Sequence, residues 1–223
     1  MERLGDPVKS PRSYDSARRR EQAGRTRHRI IDVAEQRFRA HGYAPTSVAS
    51  IAHEAGVSVD LIYKSFRGKP GLVRAIHQRA LEGRGPEPAE QRSDRLQAGE
   101  ADPRVIIAGW GRFVTEIAPR SAPIVMLIRA AAAADPELAE LLAEIDADRL
   151  RRMTLNAARL HRAGHLRAGV TVAHAADVLW TYSSPELYEL LVVRRGMPVR
   201  RYGTFVAEAM AAALLPAPAA PAP

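Results

Sequence analysis

Two short runs of helical apolar spacing meet at Gly56: Val48, Ile51, Ala52 and Ala55 share one face of the first, and Ile62 and Phe66 stand one turn apart on the second. A glycine at the junction, an apolar Val57 in the turn and Ser58 as a helix cap meet the geometric needs of a helix-turn-helix. Such a motif sends its second helix into the major groove of DNA with its N-terminal residues toward the base edges. With Ile62 and Phe66 turned to the core, Val59, Asp60, Tyr63 and Lys64 are left to make those contacts. Asp60 can accept a hydrogen bond from cytosine N4, but an acid in a first helical turn also complements the helix dipole, and the second reading carries more weight. Lys64, beside Tyr63 on a groove-facing helix, reads better as a phosphate or guanine contact than as a solvated lysine.

Other chemistry finds little footing. His161 and His165 are four apart, but Gly164 is expected to end the helix between them and no third ligand is evident, so no metal site is expected. His53 followed by Glu54 lacks the second histidine of a zinc-protease helix, and neither a Gly-x-Ser-x-Gly elbow nor a phosphate loop is present. The chain has no cysteine, which removes disulfides, thiol nucleophiles and thiolate metal sites together and fits a reducing compartment. An enzyme is not expected, and neither is a cofactor.

Helix punctuation recurs along all 223 residues without sustained period-two alternation, so the fold class is read as all-α. The polar, Arg-rich segment 1–24 reads as a disordered basic arm, 25–82 as a three-helix unit holding the helix-turn-helix, and 83–102 as a linker rich in Gly, Pro and charge. Within the second part, helices are expected over about Thr26–His41 with Gly42 as C-cap, after Thr46 or Ser47, after Ser58, and from near Lys69 and Pro70 to about Glu82. Residues 103–215 read as a larger helical domain in which a capping residue followed by proline opens helices at Asp102–Pro103, Asp135–Pro136 and Ser184–Pro185. The stripes Trp110, Phe113, Val114, Ile117 and Ile124, Leu127, Ile128, Ala131 are expected on two successive helices, and 216–223 is expected to be a disordered Pro/Ala tail.

The formal net charge of +8 is unevenly placed. Residues 1–81 hold 16 Lys or Arg against 8 Asp or Glu, whereas the remainder holds 17 of each. A block that basic suits a polyanion, since each neutralised phosphate releases counterions. The Arg18–Arg20 arm is read with equal weight as a DNA contact or a solvated tail. No run approaches a membrane span and the first residues lack an apolar signal core, so a cytoplasmic protein without a membrane partner is expected.

The stretch Gly42–Ile76, above all IAHEAGVS, IYKSF and the segment Lys69–Leu72, resembles the DNA-binding domain of the TetR family of transcriptional regulators. The likeness is strong over about Thr26–Leu81 and returns, more weakly, in HAADVLWTYSSPELYELLVVRRG, His174–Gly196, which is similar to the C-terminal helices of many members. It implies that Thr46 and Ser47 contact phosphates from the start of their helix, that Tyr63 reaches the DNA backbone, that Lys69 donates to a phosphate, and that Val59, Asp60, Leu61 and Lys64, following the cap Ser58, lie in the base-facing region. The chain departs from the usual pattern at Asp60 (commonly small), Leu61 (often a hydroxyl) and Ser65 (commonly histidine), so no operator sequence can be transferred. The resemblance further implies a homodimer paired through the last two or three helices and a small-molecule pocket in the middle ones, with Trp110, Phe113, Ile117, Met126 and Met153 as candidates.

The resulting expectation is a DNA-binding repressor on a palindromic operator, released by an unidentified apolar effector that changes the spacing or angle of two DNA-reading heads. A dimer that binds DNA constitutively, with no effector, is the alternative; a helical enzyme domain fused to a helix-turn-helix is more remote, since no catalytic constellation supports it.

Overall fold

The computed structural model describes residues 11–83 and 87–217, with side chains from residue 18. Every regular element among them is helical, as the punctuation predicts. The chain divides into two compact units, Met1–Leu72 and Val73–Pro223. The division falls inside a helix, not in the polar stretch after Glu82 where the composition had placed it. Composition marks where the chain is solvated, whereas compactness follows where side chains are buried.

The first unit contains α1 (Pro11–His41), α2 (Val48–Ala55), α3 (Val59–Phe66) and the start of α4 (Lys69–Glu82). Its core is Ile30, Ile31, Ala34, Phe38, Tyr43, Ile51, Ala52, Ala55, Ile62, Phe66 and Leu72, with the Phe38 and Tyr43 rings stacked at 5.7 Å. α1 begins well before the expected Thr26, so residues 11–24 are helical and not the disordered arm; residues 1–10 of that arm lie outside the described residues. Pro11 suits a first helical turn, the following Arg, Glu, Gln and Ala favour helix, and Arg25 hydrogen-bonds back to Glu21 at 2.9 Å and Gln22 at 3.0 Å. Gly71 must lack a side chain, because a Cβ there would overlap the Phe66 carbonyl oxygen.

The second unit holds α5 (Ala89–Gly99), α6 (Pro103–Ala132), α7 (Pro136–Arg162), α8 (Val172–Tyr182), α9 (Pro185–Tyr188), a π-helical segment Glu189–Arg194 and α10 (Val199–Leu214). The three Xaa-Pro starts are as expected: Asp102, Asp135 and Ser184 accept from the backbone N–H of Arg104 at 2.8 Å, Leu138 at 3.2 Å and Leu187 at 3.2 Å. Two expectations fail. α5 occupies most of the supposed linker, because Arg92 forms a double hydrogen bond with Glu116 of α6 (2.7 and 3.1 Å), while Glu90 and Asp94 hold Arg152 of α7 at 3.0 and 2.7 Å. The two apolar stripes after Pro103 lie on one continuous α6 that passes through Pro119 and Pro123. Neither ring ends the helix, although each removes a backbone donor, because the apolar residues Ala122, Ile124, Val125 and Ile128 beyond them are buried. Of the terminal tail, residues 218–223 lie outside the described residues.

α6 packs on α10, α7, α9 and α5, and its closest approach is to α10. A Cβ on Gly111 would stand 2.5 Å from the Gly203 carbonyl oxygen and 2.8 Å from Ala207 Cβ, and one on Gly203 would overlap Thr115 Cγ2. The two backbones therefore touch where neither has a side chain. Around this crossing lie Ile107, Trp110, Leu160, Leu179, Tyr202, Val206 and Leu214, all buried. Replacing Gly203 by Ala should lower stability by about 1–3 kcal/mol, the range for overpacking a tight contact, whereas Gly24→Ala, where a Cβ meets nothing, should be neutral or stabilising. Chemical denaturation of both variants tests the contrast, and equal effects would remove the crossing's special role.

Candidate DNA-reading helix and ligand cavity

Ser47 caps α2 by accepting from Ser50 N at 3.0 Å, Gly56 closes it in the left-handed conformation at φ 61°, and Ser58 caps α3 by accepting from Leu61 N at 3.2 Å. α3 buries Ile62 (0% exposed) and Phe66 (5%) and turns everything else outward: Val59, Asp60, Leu61, Tyr63, Lys64 and Ser65 are all exposed, Tyr63 by 53%. Helical phase explains the division, since Asp60 and Lys64 lie nearly opposite the Ile62–Phe66 stripe with Leu61 and Tyr63 on its flanks. The outcome is an eight-residue rod offering one acid, one amine, a phenol, a hydroxyl and two aliphatic groups.

Ser47 is exposed at the start of α2. The Thr46 hydroxyl instead donates to Gly42 O at 2.8 Å and the residue is 2% exposed, while the Lys69 ammonium donates to Tyr43 O at 2.7 Å and sits 4.0 Å from the Tyr43 ring centre. Both side chains thus brace the turn between α1 and α2 from within. Sequence reasoning missed Arg27, which donates to Ser65 O at 3.2 Å and lies 4.4 Å over the Phe66 ring. It places a cation at the C-terminal end of α3, where the helix dipole favours one. Nothing in the spacing of α1 marks it, because it looks like any other arginine of a basic helix.

The second unit contains a cavity of about 770 Å³, within the range of small-molecule sites. Trp110, Phe113, Ile117 and Met153 line it, and Met126 does not. The lining face of α6 runs through Trp110, Phe113, Val114, Ile117, Ser121 and Val125 at helical spacing, so Met126 is rotated by about 100° from that face. Residues that the sequence did not suggest complete the wall: His77 from α4, Ser93 from α5, and Asn156 from α7. Ser93 was hidden because its segment read as a linker. Asn156 is a lone polar residue, only 4% exposed, in an apolar stripe of α7, which is the one signal that could have found it.

Charges in the wall are held by other charges. Arg74 pairs with Glu144, Arg151 with Asp148, and Arg152 with Glu90 and Asp94. The hydrogen bonds from Arg152 and Arg159 hold the Asp94 carboxyl below its ordinary range despite some desolvation. Arg149 lies 4.2 Å over the Trp180 ring, and its burial shifts its guanidinium downward, partly offset by Asp146 and Glu186. Among the described residues the exception is Glu82, exposed at the rim.

Burial, with a smaller contribution from Arg74, pushes His77 down to about 4 from 6.5. The imidazole is therefore neutral at physiological pH. Between these two values the unfolded chain binds the proton and the folded one does not, so stability falls as pH drops through that window. The contribution is intact above about 6.5 and exhausted below about 4. Thermal unfolding at pH 7 and 4.5 should show His77→Gln losing roughly 2 kcal/mol less than the parent chain. Identical pH profiles would mean that the imidazole is not desolvated.

Known proteins share both the motif and the architecture around the cavity. Residues 30–76 match the family model described as bacterial regulatory proteins, tetR family. The HTH-type transcriptional regulator TtgR of Pseudomonas putida is 44% identical over 59 residues, 26% of this chain and 28% of that protein. The uncharacterized HTH-type transcriptional regulator YvkB of Bacillus subtilis (strain 168) is 38% identical over 60 residues, 27% of this chain and 32% of its own length. These alignments thus span about a third or less of the curated relatives. Solved structures extend the likeness: a SmeT–triclosan complex superposes over 89% of this chain and 98% of its own with a TM-score of 0.68 at 25% identity. NalD, the secondary repressor of the MexAB-OprM multidrug efflux pump in Pseudomonas aeruginosa, does so over 87% and 98% with a TM-score of 0.68 at 22% identity, a likeness of fold. Residues 30–76 thus carry a segment that matches the tetR family model, and the helical architecture that follows them is like that of the SmeT structure.

Proposed function

We propose that the protein is a dimeric, DNA-binding transcriptional repressor whose α3 helices read a palindromic operator and whose second-unit cavity holds a small molecule that releases it. The reading rests above all on α3: Asp60, Leu61, Tyr63 and Lys64 stand free of the core on a helix that is capped by Ser58 and set on its neighbour by Gly56. Ser47 and Tyr63 supply phosphate contacts, Lys64 a phosphate or guanine contact, and Val59 and Leu61 apolar contacts to bases. Thr46 and Lys69 act by holding the turn that presents them. The match of residues 30–76 to the tetR family model argues for a regulator and not for catalysis, and a cytoplasmic location goes with that role. No described helix is long and apolar enough to cross a membrane.

Release follows from a ligand that prefers a DNA-incompetent dimer; by linkage, operator DNA then weakens ligand binding by the same factor. α4 is the covalent route for such coupling, since one helix carries Lys69 at its start and Arg74, His77 and Leu81 of the cavity wall further on. SmeT, to which this chain is similar, has been captured with triclosan, and NalD is a repressor by name, which supports both halves of the reading.

Pairing of two chains is supported by Leu190 and Val193 of the π-helical segment and Phe205 of α10, which are 55%, 57% and 39% exposed on the last helices of the second unit. Replacing Leu190 and Val193 together by Asp should give a folded monomer in sedimentation that binds operator at least a hundredfold more weakly; an unchanged dimer would move the interface elsewhere.

The repressor assignment is tested by selecting bound sequences from a random duplex library and titrating the winner and bulk DNA across a salt series. A palindrome with half-sites about one helical turn apart and a specificity ratio above roughly a thousandfold is expected. Lys64→Ala should weaken binding and, if the amine neutralises a phosphate, reduce the salt slope by about one. Sequence-indifferent, salt-sensitive binding alone would overturn the repressor assignment.

A further inference from the structure

Inside its rim, the polar groups that the cavity leaves available are uncharged. His77 is neutral, and neither its ring nitrogens nor the Ser93 hydroxyl has a hydrogen-bond partner among the described residues. Asn156 Oδ1 accepts from Gln97 Nε2 at 3.0 Å, which fixes the amide and leaves Nδ2 as a donor. Trp110 is 6% exposed, and its indole N–H has no acceptor among the described residues. Four neutral groups on four different helices, α4, α5, α6 and α7, thus line the cavity beside its apolar side chains and paired charges, with hydrogen-bonding capacity unspent. The Trp110 N–H is buried without a partner, which is unfavourable, and the other three offer the cavity donors or acceptors that a ligand atom can engage away from bulk water.

The same wall disfavours ions. Its arginines are already engaged, Arg74 with Glu144, Arg151 with Asp148, Arg152 with Glu90 and Asp94, and Arg149 with Asp146 and the Trp180 carbonyl. A carboxylate or ammonium that passes these pairs into the inner part of the cavity, among Phe113, Ile117 and Met153, stands unpaired in an apolar surrounding, which is costly. An uncharged hydroxyl or carbonyl meets no such penalty: a carbonyl can accept from Ser93 or Asn156, and a hydroxyl can also donate to His77.

We infer that the effector is an uncharged, largely aromatic or aliphatic molecule carrying a hydroxyl or carbonyl oxygen, and that Ser93, His77 and Asn156 hold that oxygen while Phe113, Ile117 and Met153 enclose the apolar body. This rests on the reading of the cavity as the effector site. It adds the ligand's charge state and polar group, neither of which follows from an apolar cavity alone.

The test uses one two-ring frame with four ends: diphenylmethane, 4-benzylphenol, 4-benzylbenzoate and 4-benzylbenzylammonium, titrated at pH 7 by calorimetry against the full-length protein. 4-Benzylphenol should bind about tenfold tighter than diphenylmethane, one good neutral hydrogen bond's worth, and at least a hundredfold tighter than either ion. Ser93→Ala and Asn156→Leu should each erase much of the phenol's advantage while leaving diphenylmethane within about threefold, a pattern that loss of folding cannot produce because the hydrocarbon reports an intact cavity. Equal binding of phenol and hydrocarbon, or binding of an ion as tight as the phenol's, would overturn the inference and leave the effector site standing. Failure of all four probes to bind would overturn the effector reading itself, whereas operator selection judges DNA binding separately.

Discussion

The contact between α6 and α10 at Gly111 and Gly203 sets the frame on which the second unit depends. Because neither residue has a side chain, backbone meets backbone, and α6 cannot rotate or withdraw without opening a void around Trp110, Tyr202 and Val206. Thirty residues of α6 are held by that crossing as one element, prolines included. With one flank of the helix committed to α10, its other flank must face α5 and α7, and it is there that the cavity lies.

α5 completes the cavity by a different kind of force. Few of its side chains are apolar, and Ala89 and Ser93 are the ones it buries. It is held by charge: Arg92 reaches Glu116 on α6, while Glu90 and Asp94 reach Arg152 on α7. Partly buried pairs of this sort are worth more than the surface pairs of α1 because less water screens them. One consequence is a cavity whose charges are spent on holding its own wall, leaving neutral groups for whatever enters.

The first unit divides α3 into two faces. Ile62 and Phe66 fasten α3, Arg27 covers its end, and Thr46 and Lys69 tie down the turn between α1 and α2, so that the exposed residues ride on a rigid support. Two side chains that family likeness associates with phosphate turn out to face backbone carbonyls within this chain. Positioning and contact are separate tasks, and a resemblance between sequences does not distinguish them.

The helix-turn-helix was legible because its determinants are local. Ser47, Gly56 and Ser58 act on their own helix ends, and the Val48–Ala55 and Ile62–Phe66 stripes follow from helical period alone. The Xaa-Pro starts were legible for the same reason. What stayed hidden depended on partners far along the chain: α5 is a helix because of residues 24 to 62 positions away, α6 is continuous because apolar residues beyond its prolines find a core, and Met126 leaves the cavity by phase. Four neutral groups from α4, α5, α6 and α7 likewise share nothing in sequence and meet only through packing. The helix-turn-helix and the exposed face of α3 were therefore written in the order of their residues, because caps and periodicity are short-range. What the protein can hold was settled on folding, because a cavity is made by surfaces that only packing brings together.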